Sequence, residues 1–166
     1  MSTDLPFLDS YAGQSSDELI DLEGSYRVDS IVLAFEEALQ RKGNLTPQEK
    51  VVLSIEALER EVNNGGFSQF FCNSSREFAA DIGGALVDIG CPKTAALTQS
   101  AMSILAVDVS MTSDEIEDAA CDASEVQDEK LGELDAIYYQ GEEEPIADKL
   151  FEFIKRNRSS ITIGDP

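Results

Sequence analysis

Apolar residues recur at helical spacing along almost the whole chain, and no long alternation of apolar and polar residues typical of strands occurs. One stripe runs from Val28 to Leu39 and ends at Gly43, after two cations that suit the carboxyl end of a helix. The segment Thr46-Pro47-Gln48-Glu49 has the form of a capping box with proline at the first helical position. It predicts a second helix that ends near Val62.

A third stripe runs from Phe78 to Ile89 and is closed by Gly90. Gly83 and Gly84 lie inside it, and each costs about 1 kcal/mol relative to alanine in a helix interior. We therefore expect a neighbouring helix to approach closely at these two glycines.

Pro92 opens a fourth helix, and Thr112 or Ser113 with Glu115 begins the acidic half of the chain. One or two helices are expected over residues 114–140, and Pro145 opens a last helix. The sparse apolar residues of 114–140 are expected to face the core: Ile116, Ala119, Ala120, Leu131, Leu134, Ile137 and Tyr138.

These patterns predict an all-α fold, a compact single-domain bundle of five to seven helices. Residues 1–15 are expected to be an irregular amino-terminal segment, with a short helical turn over 16–22. The single helical domain is expected to span 16–158, and residues 159–166 are expected to form a mobile tail.

Charge narrows the function more than any other property. The chain carries 33 acidic and 12 basic side chains, for a formal net charge of −21. Residues 108–144 alone hold fourteen carboxylates and one cation, Lys130. On a helical backbone this is about one charge per 4 Å, against 3.4 Å for one strand of DNA. Direct nucleic-acid binding is therefore not expected. We expect instead that the chain binds a basic protein. Most charge runs, however, are simply solvated faces.

Several other classes are disfavoured by residues that the chain lacks. It contains no histidine, which removes Ser-His-Asp and Cys-His catalysis and histidine metal ligation, so we do not expect an enzyme. From Asp122 a partial calcium-loop pattern fails at Val126 and Gln127, and no metal or cofactor is predicted. No apolar run is long enough to span a membrane and no secretory signal is recognisable, so a cytoplasmic location is expected. Cys72, Cys91 and Cys121 lack motif spacing, and we expect three reduced thiols.

The most distinctive string of the chain is Glu61-Val-Asn-Asn-Gly-Gly-Phe-Ser-Gln-Phe-Phe-Cys-Asn73. Asparagine followed by two glycines suits a helix end in left-handed conformation. Three phenylalanines at spacings of three and four would anchor a short helix in the core, while Gln69 and Asn73 could bond exposed backbone or a ligand. The residues with a structural or ligand-binding role are Asn63, Asn64, Gly65, Gly66, Phe67, Gln69, Phe70, Phe71 and Asn73.

This string, the helix start at Thr46, Ile89-Gly90 and the later Leu134-Asp135-Ala136-Ile137-Tyr138-Tyr139 together resemble a bacterial domain-of-unknown-function family of acidic helical proteins. The family includes DNA-mimic proteins, and the resemblance covers roughly residues 44–156. It implies an all-helical fold. For the mimic members it also implies occupation of the DNA-binding surface of a helix-turn-helix transcription factor or another basic protein.

We therefore expect an acidic protein that binds a basic DNA-binding protein and blocks its access to DNA, as a monomer or homodimer that contacts neither nucleic acid nor membrane. The alternative is a small-ligand or peptide-binding helical domain that uses the Asn63–Asn73 junction, with the acidic face serving solubility. The predicted partner-binding residues are Asp114, Glu115, Glu117, Asp118, Asp122, Glu125, Asp128, Glu129, Glu142, Glu143 and Glu144. A second acidic patch is possible at Asp17, Glu18, Asp21 and Glu23.

Overall fold

The computed structural model describes residues 4–164, and within them the chain is all-α, as predicted. It has eight α-helices rather than five to seven, because the acidic segment divides before Ser124 and the short turn near residue 16 forms a helix of its own. The helices are α1 Ser16–Ile20, α2 Val28–Gln40, α3 Pro47–Cys72, α4 Ile82–Asp88, α5 Pro92–Leu105, α6 Ser113–Cys121, α7 Glu125–Tyr139 and α8 Ile146–Arg156, with a 3-10 turn at Ser74–Phe78.

Capping residues define where these helices begin. The Thr46 hydroxyl accepts a hydrogen bond from the Glu49 amide at 3.1 Å, and the Glu49 carboxylate accepts one from the Thr46 amide at 2.9 Å. The predicted capping box of α3 is therefore confirmed. Equivalent boxes begin α1, α6 and α7: Ser15 with Glu18, Thr112 with Glu115, and Ser124 with Gln127.

By their contacts the residues group into two compact units, 1–56 with 146–166, and 57–145, and the single domain expected over 16–158 stays a prediction. In the first unit α2 packs against α8, and α3 contributes residues 47–56. Its core holds buried side chains from every helix of the unit: Leu19, Ile31, Phe35, Leu39, Val52, Ile55, Leu150, Phe151 and Ile154.

The carboxyl-terminal segment belongs to this first core. Ile161 is fully buried and Ile163 nearly so. The Ser16 hydroxyl donates to the carbonyl of Ile161 at 2.6 Å, and the amide of Thr162 donates to Glu49 at 3.0 Å. The expectation of a mobile tail is thus wrong for residues 159–164, because Ile161 and Ile163 are buried in this core and the backbone between them is hydrogen-bonded. Residues 165 and 166, like 1–3, lie outside the described residues.

The second unit contains the rest of α3 and α4 to α7. Phe67, Phe70 and Phe71 are completely buried, as the spacing of the three rings predicts. The rings of Phe70 and Phe71 meet edge to face at 5.0 Å, an arrangement that suits the aromatic quadrupole. This cluster anchors the last two turns of α3, after the Gly-Gly pair.

The expected close approach at Gly83 and Gly84 is wrong. A Cβ placed on either glycine would have no atom within 4 Å beyond its own helix, so neither position is needed for packing. Gly84 is exposed, and it lacks the positive φ that Gly66 and Gly90 adopt. Open space and ordinary backbone remove every structural reason for glycine at this site.

Gly84→Ala is therefore expected to raise the free energy of unfolding by about 0.5–1 kcal/mol, because alanine restricts the unfolded chain and is the better helix former. Urea unfolding of the purified protein measures this change. Gly90→Ala is the control, since Gly90 has a φ of 85°, and it should be destabilising. A loss of stability in Gly84→Ala would contradict the assignment of open space.

The expectation of three reduced thiols is wrong for two of the cysteines. Cys72 and Cys121 form a disulfide with their Cα atoms 5.6 Å apart, whereas Cys91 is buried and takes no part in that bond. Cys72 ends α3 and Cys121 ends α6, 49 residues later in sequence. Their spacing along the chain carries no signal of this pairing, because only the packing of α6 beside the 3-10 turn brings them together.

Candidate functional site

The exposed face of α6 carries three carboxylates in one row. Ile116 and Ala120 point inward, while Asp114, Asp118 and the C-cap residue Asp122 are exposed at intervals of four. No hydrogen bond or ion pair from these three carboxylates to any residue of 4–164 is present. Like charges four apart on a helix repel and cost about 0.2–0.5 kcal/mol per pair. The helix dipole favours Asp114 in the first turn, whereas Asp118 and Asp122 lie toward the negative end of the helix, where their charges cost stability.

Helix α7 continues the acidic surface from its first turn. Glu125, Asp128 and Glu129 are exposed, and their side chains have no cationic partner among the described residues. Glu125 and Asp128 lie in the first turn, where the positive end of the helix dipole favours negative charge. The dipole explains why carboxylates are tolerated at this end, but it leaves their oxygen atoms open to a partner.

Four of the predicted partner-binding residues have internal roles instead. Glu115 completes the capping box of α6, and Glu117 receives a hydrogen bond from Arg76 at 2.6 Å. Glu143 forms an ion pair with Lys93, and Glu144 is bound to the start of α5. Glu142 is exposed, with no side-chain partner in the described chain. These roles could not be predicted from the sequence, because each depends on a distant or helix-terminal partner.

Glu144 acts as the missing cap of α5. The N-cap position Cys91 makes no side-chain cap bond, and the Glu144 carboxylate instead accepts the amides of Lys93 and Thr94, each at 2.8 Å. It also accepts the Thr94 hydroxyl at 2.7 Å. Burial by itself would raise the pKa of Glu144, but the hydrogen bonds from Thr94 and Lys93 outweigh it and lower that pKa. Glu144 is therefore a structural anion at a helix terminus.

The possible second acidic patch, in the first unit, is largely neutralised. Asp17 pairs with Arg158 at 2.7 Å, and Glu23 pairs with Lys155 at 3.0 Å. Glu18 closes the capping box of α1. The cations at the end of α8 suit the negative end of the helix dipole and also meet specific carboxylates of this unit.

Glu61 organises the distinctive motif of the second unit. Its nearly buried carboxylate accepts hydrogen bonds from Gln69 Nε2 at 2.6 Å, Asn73 Nδ2 at 3.0 Å and Ser75 Oγ at 3.0 Å. Burial alone would raise the pKa of Glu61, but these three donors together lower it. The amides of Gln69 and Asn73 are thereby used within the chain, which favours the structural interpretation of the motif over the ligand-binding one.

The break in α3 falls at the glycine pair. Gly65 has a φ of −154°, and Gly66 has a φ of 77° with a ψ of −178°, a combination that essentially only glycine adopts. The predicted helix end is therefore present three residues after Val62, with positive φ at Gly66 alone and not at the asparagines. The helix direction changes here without any intervening loop.

Helix α7 supplies the groups that satisfy this break. Asp135 Oδ1 accepts the amide of Phe67 at 2.8 Å, and the Tyr139 hydroxyl donates to the carbonyl of Val62 at 2.7 Å. The Tyr138 hydroxyl donates to the Glu59 carboxylate. Burial raises the pKa of Asp135, a rise that the Phe67 amide only partly offsets, so this carboxylate costs solvation to hold in place. Tyr138 was expected only to face the core, and the hydrogen bonds of Asp135, Tyr138 and Tyr139 were not predicted from the sequence.

The carboxyl end of α7 also departs from the sequence expectation. Ile137 was expected in the core, but 56% of its surface is exposed, while Tyr138 is buried. Ile137 lines a half-open cavity of about 380 Å³ together with Lys93, Thr94, Leu97 and the loop 140–144. No residue of the Asn63–Asn73 junction lines this cavity.

No helix within 4–164 has the length and apolar character that crossing a membrane requires. Over the same residues, no three or more acidic or cysteine side chains are grouped so that they could hold a metal ion.

Comparison with known proteins gives one positive result. Neither the curated proteins nor the solved structures contain a match to the chain. The family model described as DMP19-like protein matches residues 43–157, close to the span of the motif resemblance. It covers the glycine break of α3, the acidic helices α6 and α7, and the α7 residues that close the break. The chain belongs to the DMP19-like protein family.

Proposed function

We propose that this chain is a DNA-mimic-like protein that binds the basic surface of a DNA-binding protein, such as a helix-turn-helix transcription factor, and keeps DNA from it. The family to which it belongs takes its name from DNA mimic protein 19, which supports a role of this kind. The observation that carries the proposal is the set of exposed carboxylates without internal partners on α6 and α7: Asp114, Asp118, Asp122, Glu125, Asp128 and Glu129.

Several other carboxylates of the chain differ from this set because they have hydrogen-bond donors within the fold. Where a carboxylate has a structural task, the fold provides a donor, as Arg76 does for Glu117 and Lys42 for Glu49 at 2.6 Å. The α6 and α7 set receives none within residues 4–164. Unpaired carboxylates can form charge-assisted hydrogen bonds with the lysines and arginines that normally contact phosphates. Such attraction accelerates association and weakens steeply with salt.

The test is retention of a DNA-binding protein from host lysate on the immobilised chain. We expect retention at low salt, loss at high salt, and displacement by added duplex DNA, because protein and DNA compete for one cationic surface. The retained protein is then purified for the measurements below. A retained protein that DNA does not displace would contradict the proposal.

A charge-reversal pair locates the contact surface. Asp118→Lys with Asp122→Lys is expected to weaken binding of the purified partner about tenfold or more, since two attractive contacts become repulsive. Both positions lie near the carboxyl end of α6, where a cation suits the helix dipole, so folding should survive. Affinity is measured by titration at fixed low salt, with circular dichroism to confirm helix content.

The matched control is Glu77→Lys with Asp88→Lys. These two exposed carboxylates belong to the same unit, have no side-chain partner among residues 4–164, and change the net charge by the same amount. Binding by this control should stay within about twofold of the unaltered chain if contact is local to α6 and α7. An equal loss of affinity in both variants would show that only the total charge matters, and it would refute the assignment of the contact surface to α6 and α7.

A further inference from the structure

The disulfide ties the acidic helix α6 to the end of α3. Cys72 is the last residue of α3 and Cys121 the last of α6, so the bond joins the two helices at their carboxyl ends. Cys121 is exposed and Cys72 is partly so, which leaves the bond open to attack from solvent. Exposed disulfides are the ones that thiols reduce readily, whereas deeply buried ones resist reduction.

Within residues 4–164, few side chains besides the disulfide hold α6 in place. Only Ile116 and Ala120 of its nine residues are buried, and both side chains are small or medium in size. Among the described residues, Arg76 of the 3-10 turn is a second tether. Its guanidinium donates to the Ser113 carbonyl at 3.1 Å and the Glu117 carboxylate at 2.6 Å, and to the Cys72 carbonyl at 3.0 Å. The disulfide and Arg76 therefore connect the same two segments.

The sequence of α6 works against its own stability once a tether is lost. Helices shorter than about 12–15 residues are marginal in water, and α6 has nine. Asp114, Asp118 and Asp122 repel one another along its exposed face, and no residue of 4–164 neutralises them. A covalent link offsets both effects, because it keeps the helix beside the 3-10 turn at a high effective concentration.

We propose that the Cys72–Cys121 bond is a thiol-responsive latch that holds α6, and with it half of the acidic surface, in its binding position. This regulation of the surface rests on the proposed function, whereas the latch itself does not. A dithiol reductant opens the bond by thiolate attack on the sulfur of Cys121, the more exposed of the two residues, which gives a mixed disulfide and releases Cys72 as a thiolate. The second thiol of the reductant then displaces Cys121. Both cysteines end as thiols, and the reductant, which has given up two electrons and two protons, ends as a disulfide.

Hydrogen exchange on the full chain tests the latch directly. Exchange is followed by mass spectrometry before and after treatment with dithiothreitol. Amides of residues 113–121 are expected to exchange at least about tenfold faster after reduction, because α6 opens locally. Those of α5 and α7 should keep their protection. Unchanged exchange in α6 would overturn the proposal, and so would loss of protection throughout α5, α6 and α7 together, which would mark the bond as purely structural.

Three variants separate the latch from general effects of the reductant. Cys72→Ser with Cys121→Ser should show fast exchange in α6 without dithiothreitol and no further response to it. Cys91→Ser should behave like the unaltered chain in both states, since Cys91 is not in the bond. A response of the double-serine variant to dithiothreitol would count against the assigned cysteine pair.

Binding separates the failure of the latch from the failure of the proposed function. The DNA-displaceable partner purified as above should bind the reduced chain at least about threefold more weakly than the oxidised chain. If α6 exchanges faster after reduction but neither state binds a DNA-displaceable partner, the latch is supported and the proposed mimic function is refuted. If the partner binds equally well while α6 exchanges fast, the control of binding by the latch is refuted.

Discussion

Replacing Gly66 by alanine is expected to lower the free energy of unfolding by about 3–5 kcal/mol, the sum of a backbone and a hydrogen-bond effect. The φ of 77° with a ψ of −178° is closed to residues with a Cβ. A Cβ at Gly66 would also overlap the carboxylate of Asp135. Asp135 would have to withdraw and leave the Phe67 amide without its acceptor. Urea unfolding, with the slope checked for two-state behaviour, measures the loss.

Gly65→Ala is the matched control for this prediction. Gly65 has a negative φ, −154°, and the three atoms nearest to a Cβ at this position all belong to the movable side chain of Gln69. The expected loss is smaller, about 1–2 kcal/mol for the disturbed Gln69 hydrogen bonds. In an Asp135→Ala background Gly66→Ala should cost less than in the unaltered chain, because the overlap is gone while the backbone strain remains. A Gly66→Ala variant within about 1 kcal/mol of the unaltered chain would refute the close fit.

The helix ends were predictable because their signals are local. The Thr46 capping box, Pro92 at the start of α5 and Gly90 after α4 each act within one helical turn. The stripe from Val28 to Leu39 likewise fixes one face of α2 by spacing alone. These features required no knowledge of what the helices pack against.

The residues of the candidate surface could be predicted only in part, because the sequence does not distinguish a carboxylate with an internal partner from one without. Glu117 and Asp118 are neighbours, yet one meets Arg76 from 41 residues away and the other meets no residue of 4–164. Glu144 reads as part of an acidic run, but it caps a helix that begins 52 positions earlier, at Pro92. Such contacts between residues far apart in the sequence depend on the fold and cannot be predicted from the spacing of the residues.

Two further predictions were wrong because they also depend on contacts between residues far apart in the sequence. A packing role for Gly83 and Gly84 is wrong because no neighbouring helix lies against them, and the sequence does not show this. The pairing of Cys72 with Cys121 could not be predicted because the two cysteines have no motif spacing. Conversely, the Asn-Asn-Gly-Gly string correctly predicted a helix break. What it could not predict is that α7 supplies Asp135 and Tyr139 to close that break.

The structure thus divides the acidic residues by task. Glu61, Asp135 and Glu144 are internal hydrogen-bond acceptors that hold the second unit together. Glu61 and Glu144 each meet several donors, whereas Asp135 meets the Phe67 amide. The carboxylates on the outer faces of α6 and α7 have no such donors within the described chain. Substitutions in the first group should change stability, whereas those in the second should change binding with little effect on folding. This separation makes the proposed function testable without confusion from unfolded variants.

Glu61→Gln tests the first group and is expected to lower the free energy of unfolding by about 2–4 kcal/mol at neutral pH. Three donors, from Gln69, Asn73 and Ser75, converge on this carboxylate. A neutral amide accepts more weakly, and its NH₂ group must face at least one of these donors. Chemical denaturation at pH 7 measures the difference, and the remaining helix content is followed by circular dichroism.

The pH dependence distinguishes Glu61 from its neighbour Glu59 on the same helix. Because hydrogen bonds lower the folded pKa of Glu61 below its ordinary 4.5, its stabilisation is present above that value and is lost as pH falls through the folded pKa. The gap between the unaltered chain and Glu61→Gln should therefore narrow in acid. Burial raises the pKa of Glu59, so its contribution is present in acid and is lost as pH rises through the folded pKa. Glu59→Gln keeps an acceptor for Tyr138 and removes a buried charge, and at pH 7 it should leave stability unchanged or higher. Destabilisation of equal size by both variants at pH 7 would refute the different roles assigned to the two carboxylates.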